Sequence, residues 1–106
     1  MKRGEVWWAD LSKPIGSRPV VLLSRDEAYA VRNAVTVAEV TQTIRNIPVE
    51  VPIGKEDGLM KKCVINLDTI ITIPKNLLRE RVGLLGQEKI NLINKAIKFA
   101  LAIDED

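Results

Sequence analysis

The chain has 106 residues, 46% hydrophobic and 28% charged, with 16 basic and 14 acidic side chains and a formal net charge of +2. This length fits one domain, 1–106, that buries roughly two-thirds of its unfolded surface, and the composition excludes a disordered polymer. A single cysteine and no histidine exclude an internal disulfide, a Cys/His zinc site and any hydrolytic triad built on imidazole.

Mild basicity permits a nucleic-acid partner, but such a site must come from local clustering rather than overall charge. No apolar run is long enough to span a membrane, and the start MKRGEVWWADL lacks an apolar signal segment, so a cytoplasmic protein is expected. Cys63 sits in an apolar run, where a small buried thiol is the ordinary outcome.

The first predicted element is a strand at 5-EVWWADL-11, placing Val6, Trp8 and Asp10 on one face and Trp7, Ala9 and Leu11 on the other. The turn cluster 12-SKPIGS-17 follows. Next, 19-PVVLLS-24 is continuously apolar and reads as a strand buried on both faces, with Pro19 at its first position. The acidic pair and alanines of 26-DEAYAVRN-33 predict a short helix capped by Ser24 or Asp26.

The β-branched run 35-VTVAEVTQTI-44 predicts a third strand. After a polar turn at Arg45 and Asn46, 47-IPVEVPI-53 alternates strictly, with Ile47, Val49, Val51 and Ile53 facing in; two prolines on the other face mark an edge strand. The loop 54-GKEDGLMKK-62 leads into 63-CVINLDTIITI-73, a long strand on which Asn66 and Asp68 share one face. A short helical turn is expected within 75-KNLLRERVG-83. The last element, 87-QEKINLINKAIKFALAID-104, is an amphipathic helix with Ile90, Ile93, Ile97 and Leu101 at helical spacing, widened by Phe99 and Ile103. Several short strands and one packed helix predict an α+β domain, mainly β: a small, barrel-like antiparallel sheet with a C-terminal helix.

No phosphate-binding glycine loop, CxxC or metal-spaced carboxylate cluster is present, so no cofactor and no metal are expected. Three polar features interrupt the apolar strands: Arg18 at a strand entry, Thr41 with Gln42 and Thr43 at a strand end, and Asn66 with Asp68. Each alone suits a solvated strand position. Trp7 and Trp8 suggest a base-stacking platform, but they alternate faces, and core or interchain contact is expected for both. Lys61 and Lys62 read as a solvated loop.

Taken together, KRGEVWWADL, SRPVVLLS, VTVAEVTQTI and VINLDTIITIPKNLLRERVGLL followed by a helix resemble the MazF/PemK family, from Arg3 to about Asp104. The resemblance implies the SH3-like small β-barrel shared with the CcdB gyrase poisons. It also implies a metal-independent endoribonuclease toxin that cuts single-stranded RNA, works as a homodimer and is held inactive by a cognate antitoxin. The family's arginine falls on Arg18, its threonine on Thr41 and a functional acidic position on Asp68. Substrate contacts are expected from Ser17, Gln42, Thr43, Asn66, Lys13 and Arg45.

RNA carries its own nucleophile, so a planar, permanently charged guanidinium and a hydroxyl donor are suited to steadying phosphate charge; Asp68 and Glu39 are the candidates for a general base. Many relatives carry a longer glycine-rich loop, often with a glutamate, before the arginine. Here only 12-SKPIGS-17 intervenes, which removes one acidic group and thins the cover over RNA. The alternatives are a gyrase-binding toxin of the same barrel without catalysis, and a non-catalytic nucleic-acid-binding barrel.

Overall fold

β-branched runs bounded by glycine, proline and polar turns build six strands, one more than the pattern predicts. In the computed structural model, which describes residues 1–103, the order is β1 (Glu5–Leu11), β2 (Gly16–Leu22), α1 (Ala28–Val31), β3 (Ala34–Thr41), β4 (Glu50–Ile53), β5 (Cys63–Pro74), β6 (Leu78–Leu84) and α2 (Gln87–Ala100), with 3-10 turns at Lys55–Asp57 and Lys75–Leu77. The strands form one curled sheet in the order β4-β5-β3-β2-β1-β6, every pair antiparallel. β4 lies at one edge, the position that suits its Pro52, with Pro48 just ahead of the strand.

The additional strand is β6. The expected helical turn is the 3-10 turn at Lys75–Leu77, and the rest of 75–83 is a strand: Glu80 pairs opposite Trp8 and Leu78 opposite Ala9. Arg79, Glu80 and Arg81 disguise a strand, because charge on a sheet edge discourages pairing with other chains. A carboxylate at the start of β1 holds this edge. Glu5 accepts hydrogen bonds from Arg81 Nε at 2.7 Å, Trp7 Nε1 at 3.1 Å and the Lys2 backbone N–H at 3.0 Å. Burial pushes its carboxyl up, but these donors outweigh that and hold it below the ordinary carboxylate range.

The sheet buries apolar groups on both sides. Val20 and Leu22 of β2 pack with Ala9, Val35, Val37 and Ile73, while Val21 joins Val6, Ala38, Val40, Ile65 and α2's Ile93. The period of two within one strand sends alternate residues to opposite layers. α1 is shorter than expected and lacks a side-chain cap. Ser24 Oγ instead accepts from the Thr36 N–H at 2.9 Å, and Asp26 Oδ1 accepts from the Arg3 N–H at 2.7 Å.

Ile47 is exposed and precedes β4 rather than facing inward. α2 ends at Ala100; the Ile103 N–H bonds to the Lys98 carbonyl at 2.8 Å, with Ala102 at φ 55°, a left-handed helix stop. Phe99, inside α2, and Leu101 and Ile103, beyond its end, lie exposed instead of widening the packed stripe, and Asp104 falls outside the described residues.

One feature of the pairing positions the site. β2 meets β3 over three residues, Val20–Leu22 against Val37–Glu39. Residues 16–19 pair with β1 alone, and Val40 and Thr41 pair with β5 alone. Pro19 stands where the two strands part, four residues into β2 rather than at its first position. It has no N–H to continue the ladder. The result is a fork in the sheet.

Candidate functional site

A groove of about 610 Å³ opens in this fork. Ser17, Arg18 and Pro19 form one wall, and Val40, Thr41, Gln42 and Thr43 the other; Gly58–Lys61, Cys63 and Trp8 complete it. The central pair of the sequence reading, Arg18 and Thr41, thus lines one concave surface. Ser17, Gln42 and Thr43 join them. Lys13 lies exposed in the β1–β2 turn and Arg45 beyond β3, and neither lines the groove.

Asn66 and Asp68 do not line it either. Asn66 is half-buried and Asp68 exposed, on either side of buried Leu67, at a bulge in β5. Asn66 sits opposite Glu39 and Ile70 opposite Ala38, leaving residues 67–69 without β3 partners. The Asp68 N–H folds back onto Asn66 Oδ1 at 2.9 Å while Leu67 is buried. The bulge takes Asp68 out of the β3 ladder and away from the groove wall.

Arg18 is held rather than free. Its side chain remains 35% exposed, and Nη1 donates to Glu39 Oε1 at 3.0 Å. Glu39 pairs opposite Val20, two residues along β2 from Arg18, so the long side chain reaches it diagonally on the same sheet face. Thr41 Oγ1 accepts the Thr43 N–H at 3.2 Å, which fixes the hydroxyl and leaves its O–H available as a donor.

Trp8, 41% exposed, lies in the groove beside Pro19, its β1–β2 partner, and is neither core nor hidden. Trp7 is partly buried, its indole N–H spent on Glu5. Met60, 89% exposed, and Lys61 belong to the groove through the loop after β4. Alternation in β1 pointed to one outward tryptophan; nothing local marked the loop. The Cys63 Sγ–H bonds to the Lys61 carbonyl at 3.3 Å, and burial pushes the thiol up, so it stays protonated at neutral pH and is no nucleophile.

Chemically, the groove offers a guanidinium, three hydroxyls, an ammonium and an aromatic face. That set suits a phosphodiester flanked by an unstacked base. Among the described residues, no group of three or more Cys, Asp or Glu side chains gathers to hold a metal ion.

Comparison with known proteins gives a consistent picture. Residues 2–101 match the family model described as a PemK-like, MazF-like toxin of type II toxin–antitoxin system. The chain is 36% identical over 100 residues to the probable endoribonuclease MazF5 of Mycobacterium tuberculosis, covering 93% of this chain and 91% of that one. It is 38% identical over 111 residues to the endoribonuclease MazF of Staphylococcus saprophyticus, covering 97% and 92%. A solved mycobacterial endoribonuclease in complex with its cognate antitoxin superposes with a TM-score of 0.89 at 29% identity, over 100% of this chain and 99% of that one.

Proposed function

The chain belongs to the PemK-like, MazF-like family of type II toxin–antitoxin toxins, and from that membership we propose that it is an endoribonuclease acting on single-stranded RNA. The observation that carries the reading is the placement of Arg18 and Thr41 on one groove at the fork of β2 and β3. In this reading a ribose 2′-OH attacks the adjacent phosphorus and the 5′-oxygen leaves, giving a 2′,3′-cyclic phosphate and a 5′-OH. Arg18 stabilises the non-bridging oxygens as charge builds, and Thr41 adds a hydroxyl donor. The nucleophile's proton passes to solvent and the leaving oxygen takes one back, and in this reading the charge on phosphate is met by Arg18 and Thr41 rather than by a metal ion.

Ser17, Gln42, Thr43 and Lys61 contact the backbone, and a base stacks on Trp8. Lys13, Arg45, Asn66 and Asp68 meet RNA only where the strand runs past the groove. We place the activity in the cytoplasm, as a homodimer restrained by a cognate antitoxin. The named antitoxin of the solved relative supports this last point, and among the described residues no helix is long and apolar enough to cross a membrane.

The test is cleavage-site mapping on a long RNA with EDTA present. Wild type is expected to cut at a short sequence, with a 2′-deoxy substitution at that position blocking the cut. Arg18→Ala should lose ~10²–10³ in rate, the scale of a missing oxyanion donor, while remaining folded. Thr41→Val should lose less. Intact RNA with salt-sensitive binding would favour a non-catalytic barrel instead.

A further inference from the structure

Two charged residues are buried among the described residues, Glu5 and Glu39. Glu5 has three donors and fastens β6 to β1. Glu39 is 7% exposed, and its side chain has one partner, Arg18. Its position is a strand interior beside Val37 and opposite Val20, where a β-branched residue is the default. Burying a carboxylate there is costly without a cation against it. The presence of glutamate at this position therefore has to be explained by what it does to Arg18.

A free arginine side chain samples many rotamers, and a charge-stabilising donor works only when it is aimed before the reaction. The bond to Glu39 Oε1 uses one of five N–H groups and leaves the other four for the groove. It also sets a negative charge behind the guanidinium. That weakens attraction to a ground-state phosphodiester while preserving the donor's orientation.

We propose that Glu39 is the positioning residue for Arg18, holding its guanidinium in the plane that meets the reacting phosphate. This rests on the reading of the groove as a ribonuclease site. The same carboxylate supplies, from inside the sheet, an acidic group beside the arginine that the short 12–17 turn does not provide.

The experiment uses the full chain and an RNA oligonucleotide carrying one mapped cut. Single-turnover rates, pH–rate profiles and affinity for the uncleavable 2′-deoxy oligonucleotide are measured for wild type, Arg18→Ala, Glu39→Ala and Glu39→Gln. Glu39→Ala is expected to slow cleavage ~10²-fold, the scale of an ångström-sized misplacement, without weakening binding of the 2′-deoxy RNA. Glu39→Gln keeps an oxygen that accepts the same N–H and should recover to within about fivefold of wild type, with an unchanged pH profile. Glu39→Val, suited to a buried strand, makes the same comparison if Glu39→Ala melts below the assay temperature.

Cleavage by Glu39→Ala at the wild-type rate, with Arg18→Ala inactive, overturns the proposal and leaves the ribonuclease reading standing. Glu39→Gln as slow as Glu39→Ala, with the acid limb of the profile lost, also overturns it by making Glu39 the proton acceptor. Wild-type protein that cuts no RNA sinks both.

Discussion

Single residues decide how the groove's loop wall is held. Gly58 adopts φ +93°, and a Cβ there would lie 3.1 Å from Val82 Cγ1 and 3.2 Å from the Val82 carbonyl oxygen. Gly58→Ala should therefore cost about 1–3 kcal/mol in denaturant unfolding, combining left-handed strain with a contact the β6 backbone cannot yield. Because Leu59, Met60 and Lys61 follow directly, cleavage should fall more than stability alone accounts for. Gly16 is the control: φ is +73°, but nothing lies within 4 Å of its Cβ position, so Gly16→Ala should cost the backbone strain alone. At this scale Arg18 and Thr41 were visible as polar breaks in apolar strands, but only the family resemblance singled them out as a pair, and both line the groove. Met60 and Lys61 were not legible, because a loop's path depends on contacts made across the molecule, here with Val82 of β6.

Elements were legible where one side faces the core and obscure where charge covers them. β2 declared itself by an unbroken apolar run, and α2 by its 3.6-residue period. β6 was hidden because its exposed residues are arginine and glutamate, and its strand character is imposed by β1 across the ladder. The bulge that takes Asp68 out of the β3 ladder was not legible, because a bulge is a pairing event, invisible to alternation within one strand. β6's attachment also carries a pH dependence. The Glu5 carboxyl is held low in the folded chain, so its contribution is present above the unfolded value of about 4.3 and is lost as pH falls through the folded value beneath it. Glu5→Gln should cost about 1–3 kcal/mol at neutral pH, and the gap to wild type should close on acidification when both are followed by thermal melting.

For the whole molecule, the C-terminal helix and the residues just after it leave several apolar side chains uncovered. Phe99 is 61% exposed and Leu101 58%, with Leu92 nearby on α2's outer side. Exposed apolar side chains on and just after the last helix are where contact between the copies of the proposed homodimer is expected. Phe99→Asp should shift the mass measured by light scattering from dimer toward monomer while melting stays cooperative; a dimer that persists unchanged places the interface elsewhere. The sequence period marked these residues as apolar but not which way they faced, because Leu101 and Ile103 follow the end of α2.

The parting of β2 from β3 after Val20 and Glu39 has a consequence for how such a protein can diversify. The reactive groups stand on ladder-locked backbone, whereas part of the rim comes from Gln42 and Thr43 just past β3 and from Gly58–Lys61 in the loop between β4 and β5. Those segments belong to no ladder, so preference for one target over another can drift there while the cutting chemistry stays put.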